Sequence, residues 1–203
     1  MAINVEENKM FYRELLKCCN RDGINALLDW LDTTDFYEAP CSTRFHLCER
    51  GGLCQHSLNV YLTMAKLATE VGEWKNKRID LTTAKATSEH MVKTYVLVGL
   101  LHDLCKINTY KEVLRWRKNS DNLWEQYPTY EFGEEFAYGH GEKSVYLASK
   151  FIKLTDEEAQ AINGHMGFSD VRGAQLAGNI FKQNYLAVLL HMADISATYF
   201  MED

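Results

Sequence analysis

From Tyr95 to Leu101 every position but Gly99 is apolar, whereas in most other segments apolar residues recur at helical or alternating spacing. A helix with one apolar stripe lies at a surface, and one apolar all round is buried. The spacing therefore predicts a central buried helix over Thr87–Lys106, with the adjacent pair His102–Asp103 near its inner end and Lys106 one turn after His102. An ionised carboxylate in such surroundings is costly unless something pairs with it. A metal ion is the cheapest partner for a neighbouring imidazole and carboxylate, both of which ligate first-row divalent cations.

The flanking segments assemble around that helix. Helical spacing covers Val5–Cys19 (Met10, Phe11, Leu15, Leu16) and Ile24–Leu31 (Ile24, Leu27, Leu28, Leu31), with a turn at Asn20–Gly23 between them. Residues 1–32 thus read as N-terminal helices packed on the core, without chemistry of their own. Residues 33–50 have no clean period. Gly51–Gly52 then allow a tight approach into a helix with Leu53, Val60, Met64 and Leu67 inward and His56 in its first turns. Residues 72–83 read as a polar loop, and His90 as a solvated residue of the polar early part of the central helix.

Beyond the central helix the texture changes. Residues 111–132 carry Val113, Leu114, Trp116, Leu123, Trp124, Tyr127, Tyr130 and Phe132 about a turn at Asn119–Asn122, the pattern of a β-hairpin, expected to form a substrate-facing wall. A helix opens at Tyr138–Ser144 and runs to Ile152. Thr155 and Glu158 form a capping-box pattern before a helix with Ala161, Ile162 and His165, which ends at residues 166–170. Residues 173–179 are small and read as a loop. Tyr185–Phe200 is a strongly apolar last helix in which His191 and Asp194 stand among Leu189, Leu190, Met192 and Ile195. The expected architecture is a single all-α domain, a helical bundle with a small β-hairpin insertion.

Composition narrows the function. The 203 residues suit one domain, and 46% hydrophobic content with 2 prolines supports a sizeable helical core. A net charge of -6 and pI ≈ 5.7, with no basic stretch, leave no cationic face for a long nucleic acid, although a short nucleotide remains open. No apolar run is long enough to span a bilayer, so no membrane partner is expected. Met1–Lys9 is polar and acidic rather than a signal peptide, so a cytoplasmic protein with reduced thiols is the expectation for the 6 cysteines. Cys41, Cys48 and Cys54 have the wrong spacing for a zinc ribbon. Oligomeric state is not written in the pattern.

The chemistry lies in a set: His56, His102–Asp103, His140, His165 and Asp194. Taken singly, each histidine reads as a packed core residue and Asp194 as a backbone cap. Taken together, that reading leaves two carboxylates on apolar helices without partners. A bundle can gather such side chains in its core, and four imidazoles with two carboxylates are enough for two metal centres sharing one carboxylate.

These residues and their surroundings carry a resemblance. Gly51-Gly52-Leu53 before His56, Leu101-His102-Asp103-Leu104-Cys105-Lys106, Gly139-His140-Gly141-Glu142-Lys143-Ser144 and Ala193-Asp194-Ile195-Ser196-Ala197-Thr198 occur in the motif order of the HD-domain metal-dependent phosphohydrolase superfamily. The chain resembles its small stand-alone bacterial and phage members from about Ala39 to Thr198. The resemblance implies an HD-domain bundle in which His56, His102, Asp103 and Asp194 hold one divalent ion. Asp103 would bridge to a second ion held by His140 and His165, with Lys106 beside the reacting phosphate. Asp103 and Lys106 are then the expected catalytic residues. One or two ions of Mn, Fe, Mg, Co or Ni are implied, without a choice among them.

The implied reaction is attack of a metal-activated water on a phosphomonoester or phosphodiester of a small, nucleotide-like substrate. The alternative is a di-iron oxygenase, because the inositol-oxygenase branch of the superfamily uses the same six ligands. Arg44, His46 and Arg50, ahead of the Gly-Gly turn, are candidates for holding a second phosphate or a sugar. Glu142 reads as a proton carrier or a helix-start charge, Lys143 as a solvated lysine, and His191 as the group that fixes Asp194.

Overall fold

The computed structural model describes residues 2–76, 84–133, 136–169 and 174–202, and side chains throughout these apart from residues 69–76 and 84–91. Its described helices are α1 (Val5–Cys18), α2 (Ile24–Leu31), α3 (Gly52–Asn76), α4 (Ala84–Leu101), α5 (His140–Ser149), α6 (Asp156–Gly164), α7 (Ala174–Gln183) and α8 (Tyr185–Phe200). Between α4 and α5 stands an antiparallel hairpin of β1 (Tyr110–Lys118) and β2 (Trp124–Phe132), in register from Tyr110↔Phe132 to Lys118↔Trp124. The all-α architecture with a small hairpin is thus present. No helix among the described residues is long and apolar enough to cross a membrane.

The buried core is continuous from α1 to α8. In the second half of α4, Tyr95 to Leu101 is buried on every side, as uniform apolarity requires. Gly99 lets α4 close on α3: a Cβ there would stand 3.0 Å from the Tyr61 Cα. α3 packs on both α4 and α8, and α6 on α8. The N-terminal helices are tied in by polar links as well as packing. The Tyr12 hydroxyl donates to the Leu100 carbonyl at 2.8 Å. Arg21 grips the buried Glu158 carboxylate at both oxygens, and Glu158 also completes the α6 capping box with Thr155.

Three expected elements differ. The central helix stops at Leu101 rather than Lys106, and the chain continues through His102–Asp103 into a 3-10 turn at Leu104–Lys106. The cause is local: the His102 ring donates from Nδ1 to the Gly99 carbonyl at 2.8 Å, satisfying a carbonyl that a continuing helix would use itself. Of residues 173–179, read as a loop, Ala174 to Asn179 instead belong to α7, because Ile180 and Phe181 pack on the core and packing outweighs a run of small residues; residue 173 lies outside the described residues. Of the polar loop expected over residues 72–83, residues 72–76 belong instead to α3, which runs to Asn76; residues 77–83 and the side chain of His90 lie outside the described residues.

The aperiodic stretch 33–50 is an ordered loop seated on the start of α3. Cys41 N–H donates to Leu47 O, Leu53 N–H to Ala39 O and Gly51 N–H to Glu38 O, at 3.0, 3.0 and 2.9 Å. Gly52 is required at this junction, since a Cβ there would lie 2.1 Å from Leu47 O and 2.9 Å from Cys41 N. Replacing it, G52A, forces two backbone segments apart and is expected to cost about 1–3 kcal/mol. Urea unfolding should show a lower midpoint at unchanged slope; a loss below about 0.5 kcal/mol would contradict this packing.

Candidate metal centre

Helix ends deliver most of the polar residues to one place. His56 comes from the start of α3, His102–Asp103 from the end of α4, His140 is the first residue of α5, and His165 closes α6; Asp194 comes from the middle of α8. They border a cavity of about 290 Å³ whose wall includes His56, Asp103, Lys106, His140 and Asp194. Helix termini are where backbone groups are already unpaired, so several ends can meet at one polar site.

The carboxylate of Asp103, 3% exposed, faces both ways. Its Oδ2 lies 2.7 Å from Lys106 Nζ, 3.4 Å from His102 Nε2 and 3.6 Å from His56 Nε2. Its Oδ1 lies 2.8 Å from His140 Nε2 and 3.6 Å from His165 Nε2. On the first side His56 Nε2 is also 3.2 Å from Asp194 Oδ1. All six expected residues are therefore brought together. His56, His102 and Asp194 form one group whose donor atoms lie within 4.8 Å of one another, and His102, Asp103 and His165 form another.

Hydrogen bonds at the far ring atoms set the tautomers. His102 Nδ1 faces Gly99 O at 2.8 Å and His165 Nδ1 faces Ile162 O at 2.6 Å, and a carbonyl can only accept. Both Nε2 lone pairs therefore point inward. His56 Nδ1 donates to the Glu202 carboxylate at 2.9 Å, which likewise turns its Nε2 inward. Two consequences favour a cation. His56 Nε2 and His102 Nε2 face each other at 3.3 Å, and the buried His165 Nε2 has no hydrogen-bond partner. Two inward nitrogens at this spacing hold a proton or a cation between them, and imidazoles backed by carbonyl or carboxylate are metal-ligand arrangements. The residues thus fit divalent ions.

The electrostatics agree. Burial opposes ionisation of Asp103, but the charge of Lys106, the nearby His102 and a hydrogen bond from His140 hold it well below the ordinary carboxylate range. Burial likewise opposes charge on Asp194, and the hydrogen bond and charge of His56 reverse that. Burial lowers and nearby Cys41, Asp194 and Glu202 raise the pKa of His56, with a net shift well above its usual value. Acidic groups crowd that imidazole, and coordination by Nε2 would release a proton as the ion enters.

Two residues were not legible as part of this set. Glu202, 4% exposed, accepts from His56 and, at 2.8 Å, from Asn59 Nδ2. Asn59 Oδ1 in turn accepts from Gln55 Nε2 at 2.9 Å, and Gln55 Oε1 from Asn8 Nδ2 at 2.8 Å, so one chain of donors links α1 to His56. The polar residues Gln55, His56 and Asn59 among the apolar first turns of α3 were the available signal. Cys41 was dismissed with Cys48 and Cys54. It lines the cavity, with Sγ 3.3 Å from both His46 Nε2 and Lys106 Nζ, while Cys48 and Cys54 enter no candidate ligand group among the described residues. His56 and Lys106 outweigh burial and bring the Cys41 thiol down to about 6.

Other expected roles are redistributed. His46 lines the cavity, but Arg44 is exposed and absent from its wall, and Arg50 is exposed and ion-paired to Glu38. His191 gives its Nδ1 hydrogen to the His165 carbonyl at 2.6 Å rather than to Asp194, so it braces a different member of the set. Lys143, expected in solvent, is 6% exposed. The hairpin touches the cavity only through Tyr110 at its foot, and Leu114, Trp116, Trp124 and Phe132 stand exposed beyond it.

The family model described as "HD domain" matches residues 53–195, which contain all six residues of the set. The chain belongs to the HD-domain family. HD domains are in general metal-dependent phosphohydrolases and bind divalent cations, which agrees with the clusters described above. Comparison with curated proteins and with solved structures yields no match.

In this HD domain Glu202 orients His56 through a charged hydrogen bond. E202A is expected to weaken divalent-ion binding about 10–100-fold, with E202Q between it and the parent because an amide oxygen still accepts from Nδ1. Competition against a fluorescent chelator measures it; equal affinity in all three proteins would remove Glu202 from this role.

Proposed function

We propose that the HD domain hydrolyses a phosphomonoester or phosphodiester of a small, nucleotide-like substrate. In this reading His56, His102, Asp103 and Asp194 hold one divalent ion, and Asp103, His140 and His165 a second. The observation that carries it is the division of the Asp103 carboxylate, with Oδ2 toward His56, His102 and Lys106 and Oδ1 toward His140 and His165. Bound ions would supply a water deprotonated near neutral pH and Lewis acidity toward phosphoryl oxygens.

The chain's own groups do the rest. Lys106 Nζ, on the cavity wall, is placed to receive the negative charge that gathers on a phosphoryl oxygen in the transition state. His140, with a side chain 30% exposed against 0–1% for His56, His102 and His165, stands on the open side where substrate enters. His191 carries its hydrogen on Nδ1, which leaves Nε2 to exchange a proton with a leaving oxygen at the cavity. Phe45 and Tyr199, both exposed and both on the cavity wall, offer flat apolar surface to the part of the substrate that is not phosphate. A cavity of this volume supports a small partner rather than a long nucleic acid.

A panel of nucleotide monoesters and short diesters, with Mn, Mg, Co, Ni or Fe supplied, is expected to give a released phosphorus product that D103N does not. K106A should lower kcat about 10²–10³-fold with a smaller change in KM, and H140A should lower bound metal from two ions per chain to one. No product from any ester with any of these metals would overturn the reading.

A further inference from the structure

Cys41 and His46 stand beside the carboxylate-rich set without belonging to it. We propose that Cys41, His46 and His56 form a thiolate–imidazole site for a zinc-class cation, and that this site competes with the carboxylate-rich one for His56. The three residues offer donor atoms that all lie within 4.8 Å of one another, with Cys41 Sγ and His46 Nε2 3.3 Å apart and the two imidazole centroids 5.0 Å apart. One thiolate and two imidazoles, with a fourth position open toward the cavity, is a donor set for zinc or cobalt; it is too soft for magnesium.

The site is built into the loop ahead of α3. Ser42 Oγ donates to His46 O at 2.8 Å and accepts from Phe45 N–H at 2.9 Å, while Cys41 N–H bonds to Leu47 O at 3.0 Å. The turn thereby holds Cys41 and His46 on one side of the cavity before any ion arrives. Lys106 Nζ, 3.3 Å from the sulfur, is the positive group that meets it in the structure, and a bound cation would take that place.

Competition follows from the valency of one ring atom. His56 Nδ1 is committed to Glu202, so only Nε2 can reach an ion. That same atom faces Asp194 at 3.2 Å and His102 at 3.3 Å. A single lone pair coordinates one ion at a time, so a cation held by Cys41 and His46 takes His56 from the other set. Cys105 is the alternative sulfur: its Sγ is 3.4 Å from His140 Nε2, but it does not line the cavity.

Cobalt(II) titration of the metal-stripped full chain tests this without a substrate, so its result is separable from that of the hydrolase assay. A near-ultraviolet thiolate-to-cobalt charge-transfer band is expected in the parent and in C105S, and absent in C41S, whose remaining ligands still bind cobalt. H46N should weaken cobalt binding at the band-forming site at least tenfold and stands in for C41S should that variant not fold. Excess Mn²⁺, which has little affinity for sulfur, should diminish the band as it captures His56. Cobalt bound without a band in the parent, or a band lost in C105S and kept in C41S, overturns the site. A band indifferent to Mn²⁺ overturns the competition.

Discussion

The structure depends on how the buried carboxylate of Asp103 is compensated. It sits where α4 ends, almost fully removed from water, with one oxygen toward two imidazoles and the other toward two more and an ammonium. An unpaired charge there would be costly enough to unfold a marginally stable domain. Lys106 offsets one charge, yet Asp194 and Glu202 bring two further carboxylates to the same place. The core therefore keeps room for positive charge, and the inward Nε2 atoms of His56, His102 and His165 mark where it belongs.

The fold makes that gathering possible by bringing helix ends together. Four of the five contributing elements present a terminus to the cavity, and of the rings that arrive there His102 and His165 bond backbone carbonyls through their far nitrogens. Only α8 presents its middle, and Asp194 is correspondingly the carboxylate that leans on His56. Gly52 and Gly99 permit the close approaches that put α3 against the 33–50 loop and against α4. Glu202, beyond the end of α8, is connected back through Asn59 and Gln55 to α1, so a helix with no chemistry of its own supports the orientation of His56.

The helical bundle, the hairpin and the six residues of the set were legible because each lies in a strong local pattern: an all-round apolar run before His102–Asp103, strand alternation about Asn119–Asn122, a capping box before His165. What was not legible depends on tertiary partners. The last turn of the expected central helix is lost to a ring that bonds Gly99. Residues 173–179 look like a loop until Ile180 and Phe181 find the core. Cys41 and Glu202 lie in stretches without periodicity, and their importance comes only from what the fold places opposite them. Arg44 and Arg50 show the converse, since closeness along the chain to the Gly-Gly turn does not bring them to the cavity.

The central claim is that Asp103 divides two cation positions between its oxygens. Crystals soaked in Mn²⁺ and measured for anomalous scattering test it most directly. Two peaks are expected on either side of the Asp103 carboxylate, one within coordination distance of His56, His102 and Asp194 and one of His140 and His165. An absence of density at the first position, with the His56 and His102 nitrogens still facing each other, would contradict the account.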